Sequence, residues 1–217
     1  PSTLGTIGGV ARCSSRLARL REKLAAQSLD TTPHAPSLEP LSFADTPPQA
    51  ARQRPLTDAH ARTHDYLRVS LTERCSLRCV YCMPEEGISL TRPERLLAAD
   101  ELERLTAIFV RAGVTKIRLT GGEPTLRADL VDVVRSLDAL RPLGLREISM
   151  TTNGIALERK LPELRAAGLD RINISLDTLR RKRFVELTRR DGLDKALSSM
   201  RAALALGFAP IPLNCGG

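Results

Sequence analysis

Between residues 99 and 214 one order of elements recurs four times: an apolar stripe at helical spacing, a glycine, and a short strand-like run. Leu102, Leu105, Ile108, Phe109 and Ala112 mark the first helical face. Asp100 starts it, with Glu103 three residues on, a variant of the capping box. Gly113 ends it, and Lys116 to Thr120 follows as a strand. Leu130, Val133, Val134 and Leu137 precede Gly144 and the strand Glu147 to Thr151; Leu161, Leu164 and Ala167 precede Gly168 and the strand Arg171 to Ser175. Ala196, Leu197, Met200 and Leu204 precede Gly207 and the strand-like Ala209 to Asn214. A glycine after a helix takes the left-handed conformation that stops it. Helices alternating with strands over short joints predict right-handed βα units around a parallel sheet. With the strand-like run Tyr66 to Leu71, five strands are expected. A partial (β/α) barrel and an open doubly wound sheet both fit this pattern.

Such folds bind ligands at the C-terminal ends of their strands. The first strand runs into Cys75-Ser76-Leu77-Arg78-Cys79-Val80-Tyr81-Cys82. A closed zinc site needs four ligands, and a cubane iron–sulfur cluster normally takes four thiolates. Three cysteines holding a cubane leave one iron open to bind a small molecule and pass it an electron. The alternative is a three-thiolate zinc knuckle completed by His60 or His64. The next strands end in Thr120-Gly121-Gly122-Glu123-Pro124, Thr151-Thr152-Asn153-Gly154 and Ser175-Leu176-Asp177. Gly121 and Gly122 lack Cβ and let a ligand approach the backbone. Glu123 can accept hydrogen bonds from an ammonium group; Asn153 and Ser175 can bond a carboxylate or ribose. A glycine turn, an Asn-Gly turn and a helix cap are the plain alternatives, one motif at a time.

Composition narrows the classes further. The chain has 217 residues and a net charge of +8, with 28 of its 33 basic residues arginine. No basic stripe interleaved with aromatics marks a nucleic-acid surface. No apolar run approaches the roughly 20 residues of a membrane span. Five cysteines, three of them clustered, are not a disulfide framework and point to a reducing compartment. With aromatics at 3% the core must be aliphatic. Residues 1–29 carry Arg12, Arg16, Arg19, Arg21 and Lys23 against Glu22, with Leu17, Leu20 and Leu24 on one helical face. That reads as a mitochondrial transit segment or as an ordinary surface helix. Pro33, Pro36, Pro40, Pro47, Pro48 and Pro55 make 31–58 a disordered linker. The expected division is a leader and linker over 1–60 and a folded core over 61–217, in the mitochondrial matrix or otherwise the cytoplasm. Because the chain begins with Pro1, an incomplete or processed N-terminus is expected.

The pattern C-x3-C-x-aromatic-C, followed by GGEP at the next strand end, resembles the radical S-adenosylmethionine (SAM) enzymes. Closer still, Asp65 through Pro84, Lys116 through Pro124, Thr151 through Gly154 and Arg171 through Thr178 resemble the GTP 3′,8-cyclase family of molybdenum-cofactor biosynthesis (MoaA). The resemblance runs from about residue 62 to 210. It implies a partial parallel (β/α) barrel, incomplete at about five strands. Cys75, Cys79 and Cys82 would ligate one [4Fe–4S] cluster. Tyr81, Gly121, Gly122, Glu123, Asn153 and Ser175 would contact SAM, and Arg68, Arg118 and Thr151 would contact GTP. The implied reaction is the first step of the pathway, GTP to 3′,8-cyclo-7,8-dihydroguanosine 5′-triphosphate. It proceeds by cleavage of SAM to a 5′-deoxyadenosyl radical, hydrogen abstraction at C3′ and attack on purine C8. An external electron donor and cyclic pyranopterin monophosphate synthase are the implied partners.

The chain also departs from that family. Pro212 stands where the family's fifth strand has a GTP-binding Lys. A sixth strand and the cysteines of a second cluster are expected beyond Gly217 and are not in this sequence. From sequence alone, the chain reads either as a GTP cyclase or as a truncated, non-catalytic form that holds the SAM cluster without cyclising GTP.

Overall fold

The computed structural model describes residues 56–214 apart from 61, 93 and 94. The Arg-rich start and nearly all of the Pro-rich stretch lie outside these residues. Residues 56–64 form a small turn closed by an antiparallel bridge from Thr57 to Thr63. The Asp58 carboxylate accepts the N–H groups of His60 and Arg62 at 2.9 and 3.0 Å.

Five strands form one parallel sheet: β1 Tyr66–Ser70, β2 Lys116–Thr120, β3 Glu147–Thr152, β4 Arg171–Ser175 and β5 Leu213–Asn214. They lie side by side in chain order. A doubly wound sheet reverses direction at a switch point. Here every connection steps the same way, which is the wall of a barrel, and β1 is not paired with β5. The helices are α1 Ala99–Arg111, α2 Leu130–Asp138, α3 Leu161–Ala166, α4 Arg181–Thr188 and α5 Leu193–Ala205.

The two sheet faces differ sharply. Val69, Leu119, Met150 and Ile172 share one register line, and Leu67, Ile117 and Ile148 another. This face packs under the helices into an aliphatic core in which Ile117, Leu119, Ile148 and Met150 have no exposure. Truncating Leu119 to Ala would cost about 2–5 kcal/mol. The opposite face carries Arg68, Arg118, Ser149 and Arg171 in line. It is polar and includes the ion pair Arg171–Glu147 at 3.2 Å.

Four local expectations are corrected. Helix α1 buries Leu102, Thr106 and Val110, while Leu105, Ile108 and Phe109 are exposed. Thr106 tolerates burial because its hydroxyl donates to Leu102 O at 2.6 Å. The helix starts at Ala98, whose N–H is bonded by the Glu101 carboxylate at 2.9 Å; Asp100 and Glu103 do not form the box. In α5 the buried stripe is Leu193, Ala196, Ser199 and Ala203, leaving Leu204 exposed. The fifth strand is shorter than the run Ala209 to Asn214. Pro210 and Pro212 have no N–H to give a ladder, so pairing begins only after Pro212.

Candidate active site

The loops at the C-terminal ends of β1 to β4 surround a cavity of about 190 Å³. Cys75, Cys79, Cys82, Tyr81, Gly121, Gly122, Thr151, Asn153 and Ser175 all line it, joined by Asp177 and Thr188. Residues up to 113 positions apart in the sequence thus meet at one spot, as the strand-end argument requires.

Gly121 and Gly122 line this cavity, and the chain's own backbone also packs closely against them. A Cβ on Gly121, whose φ is +140°, would stand 2.5 Å from Thr72 O. A Cβ on Gly122 would collide with Arg74 O and meet Glu73 O at 2.6 Å. The close approach lets Gly122 N–H donate to Thr72 O and Glu123 N–H to Arg74 O, both at 2.7 Å. The GGEP loop thereby fixes the segment that leads into the first cysteine.

Glu123 is held by the protein itself. Its side chain is turned into the protein and has no exposure. Oε1 accepts from Thr125 N–H at 3.1 Å, Thr125 Oγ1 at 2.5 Å and Thr152 Oγ1 at 2.6 Å, and Oε2 accepts Asn153 N–H at 2.7 Å. The carboxylate joins the β2 loop to the β3 loop. Asn153, so held, accepts Ile155 N–H on Oδ1 at 3.0 Å and donates from Nδ2 to Ser76 Oγ at 3.0 Å. Its amide also lies 3.8 Å from Cys75 Sγ.

The cysteine loop closes with Cys82 N–H and Met83 N–H on Cys79 O at 2.9 and 3.0 Å. Burial pushes the Cys75 and Cys79 thiols up from their ordinary range. Tyr81 lines the cavity, and its hydroxyl donates to Asp177 Oδ2 at 2.7 Å. Desolvation of that hydroxyl, then the bond to Asp177, pushes the phenol well up. Thr151 Oγ1 is buried at the cavity with no hydrogen-bond partner, an orphan that a ligand would satisfy. Arg68 and Arg118 do not line this cavity. They stand side by side on the polar sheet face, in register across β1 and β2. Arg118 lies over the Tyr66 ring at 5.5 Å, with Nε bonded to Ser149 Oγ at 3.3 Å.

Comparison with known proteins assigns this arrangement. A model of the radical SAM superfamily matches residues 69–216. The chain belongs to the radical SAM superfamily. Over 160 residues it is 54% identical to molybdenum cofactor biosynthesis protein 1 of Bos taurus, covering 74% of this chain and 25% of that protein. It is 52% identical to the mitochondrial GTP 3′,8-cyclase of Arabidopsis thaliana over 74% of this chain and 40% of that one. The chain thus spans well under half the length of these curated relatives. Among solved structures, Streptococcus suis SuiB shares its fold, with a TM-score of 0.56 at 19% identity over 89% of this chain and 42% of SuiB.

The radical SAM family works through SAM and an iron–sulfur cluster, and the residues here fit both. Three thiols face one cavity whose floor is glycine backbone and whose wall holds the orphan Thr151 hydroxyl. Among the described residues no three His, Cys, Asp or Glu side chains converge on a single metal ion. His64 Nε2 sits 3.6 Å from the Asp58 carboxylate.

Sequence reasoning missed α4. Its end supports the cysteine loop: Leu187 O accepts Val80 N–H and Thr188 O accepts Arg78 N–H, each at 2.9 Å. The available signal was Phe184, Leu187 and Thr188 at i, i+3 and i+4, hidden among the charges of Arg180 to Arg183. No helix among the described residues is long and apolar enough to cross a membrane.

Proposed function

We propose that this chain carries the SAM-binding core of a GTP 3′,8-cyclase, acting in the first step of molybdenum-cofactor biosynthesis. The observation that carries the reading is the arginine pair on the polar face. Arg68 and Arg118 are adjacent in register, and neither has a carboxylate partner among the described residues. Like charges so placed repel. A triphosphate resolves the repulsion through charge-assisted hydrogen bonds from both guanidinium groups. The names of the relatives point to the same substrate.

Cys75, Cys79 and Cys82 would hold a single [4Fe–4S] cluster, leaving one iron open to SAM. Bound there, the cluster supplies the electron that cleaves SAM and starts radical chemistry on the nucleotide. The protein's own part is orientation. Gly121 and Gly122 keep the cavity floor low, and Ser175 and Asn153 offer polar contacts to SAM. The Tyr81–Asp177 bond joins the cysteine loop to the loop after β4 at the cavity wall. Thr151 stands between the cavity and the arginine row, where its free hydroxyl would meet the nucleotide. Tyr66 and Ser149 hold the Arg118 guanidinium in place on the polar face. Orientation and exclusion of water are what such chemistry asks of the protein.

An external electron donor would supply the cluster, and cyclic pyranopterin monophosphate synthase would take the product. Residues 1–60 would act as a mitochondrial leader and linker, a reading that a reporter fusion can check. The function is tested by anaerobic incubation of the polypeptide with SAM, dithionite and GTP, followed by chromatography. GTP-dependent 5′-deoxyadenosine together with a cyclised nucleotide supports it. Deoxyadenosine formation that ignores GTP contradicts the substrate.

A further inference from the structure

Arg189 is the only residue other than glycine with a positive φ among the described residues, at 54°. It caps α4, and its N–H donates to Val185 O at 2.8 Å. A left-handed cap favours glycine, because a side chain there is strained. An arginine in this position needs a reason in what its side chain reaches.

It reaches both limbs of the cysteine loop. Nη1 donates to Arg78 O at 3.4 Å and to Met83 O at 3.3 Å. Arg78 lies between Cys75 and Cys79, and Met83 follows Cys82. Nε stands 3.9 Å from Glu85 Oε2, which draws the guanidinium toward the loop from the far side. Immediately before it, Leu187 O and Thr188 O bond the loop's backbone N–H groups. The left-handed turn therefore ends the helix and swings the side chain back over the loop that the helix end already touches.

We infer that Arg189 is a positioning residue for the iron–sulfur cluster, clamping the two limbs of the cysteine loop so that its three thiolates keep their spacing. The inference rests on the reading that these thiolates hold a cluster. It assigns two effects to one side chain. The clamp slows loss of iron by limiting how far the limbs separate. The cation beside the loop makes the cluster easier to reduce, since charge and hydrogen bonding near a cluster set its potential.

Arg189→Gly separates the side chain from the backbone, because glycine accepts the left-handed conformation without strain. In the reconstituted chain this variant is expected to lose iron to a chelator about tenfold faster than wild type. Its reduced cluster should show a broadened electron paramagnetic resonance signal and a lower midpoint potential. The apo chain should melt at the same temperature or higher. Arg189→Lys keeps the charge but cannot bridge two carbonyls, so it should keep more of the potential than of the iron retention. Iron retention and spectrum unchanged in Arg189→Gly overturn the inference, as does iron loss accompanied by a lower apo melting temperature. A separate arm needs no cluster: hydrogen exchange in residues 75–83 of the apo chain should quicken in Arg189→Gly. If wild type takes up no iron and sulfide, the cluster reading fails, while the exchange result still decides whether the clamp exists.

Discussion

Glu123 Oε2 accepts the N–H of Asn153 at 2.7 Å, and this bond ties the loop after β2 to the loop after β3 out of reach of solvent. Asn153 in turn reaches Ser76 in the cysteine loop. One buried carboxylate therefore sets the relative positions of three loops.

Replacing Glu123 with Gln puts an amide donor where four protein donors converge. At least one buried donor is left unsatisfied, at a cost of about 1–3 kcal/mol. Urea unfolding should show that loss, together with weaker SAM binding by calorimetry. A variant as stable as wild type would mean the carboxylate is not the joint described.

Gly122→Ala is expected to push the Glu73–Arg74 backbone away from the GGEP loop, because its Cβ would meet Glu73 O at 2.6 Å. Overpacking of this kind costs roughly 1–3 kcal/mol. Iron uptake should fall with stability, since the displaced segment leads into Cys75. Gly144→Ala makes a useful contrast, because a Cβ there meets nothing within 4 Å but its φ is positive, at +121°. It should lose stability through strain while keeping its iron.

Arg127 supports the same region from the other side. Its guanidinium donates to Leu71 O at 3.2 Å, Leu97 O at 3.0 Å and the Asp129 carboxylate at 2.7 Å. The bond from Arg127 holds the Asp129 carboxyl below its ordinary range. A carboxylate with a depressed folded value adds stability above its unfolded pKa of about 4 and loses it as the pH falls through the folded value. Urea midpoints measured from pH 6 to pH 2 should therefore fall less steeply in Asp129→Asn than in wild type. Parallel curves would exclude this contribution.

Arg68→Ala and Arg118→Ala should each weaken GTP binding about ten- to a hundredfold, the loss of one charge-assisted hydrogen bond. SAM binding should be unaffected, because neither arginine lines the SAM cavity. Pro212 offers a gain-of-function counterpart. Its carbonyl accepts Ile174 N–H at 3.1 Å, and its ring brings no cation to the nucleotide. Pro212→Lys should tighten GTP about tenfold. Calorimetry with GTP and with SAM separates the two ligands, and equal losses for both in the arginine variants would contradict separate sites.

Much of this was legible in the sequence because local signals and global fold agree. Leu130, Val133, Val134 and Leu137 are all buried at the spacing read from the chain. The strand-end motifs meet because a parallel sheet carries all its strand ends to one edge. What stayed hidden depends on contacts between distant residues. Thr106 reads as polar until its hydroxyl finds Leu102 O. That Thr125, Thr152 and Asn153 converge on Glu123 from two loops could not be read from the chain. The glycines of the GGEP loop announce a close approach but do not say what approaches. Helix α4 carries too few apolar residues among its arginines to mark a face, although its end holds the cysteine loop.

The central claim is that Cys75, Cys79 and Cys82 hold a cubane cluster with one iron open to SAM. Anaerobic reconstitution followed by iron and sulfide analysis tests it most directly. About four irons and four sulfides per chain are expected. They should be lost when the three cysteines are replaced by alanine, and the electron paramagnetic resonance spectrum should shift when SAM is added. Stoichiometric zinc without sulfide, or a spectrum indifferent to SAM, would contradict the account.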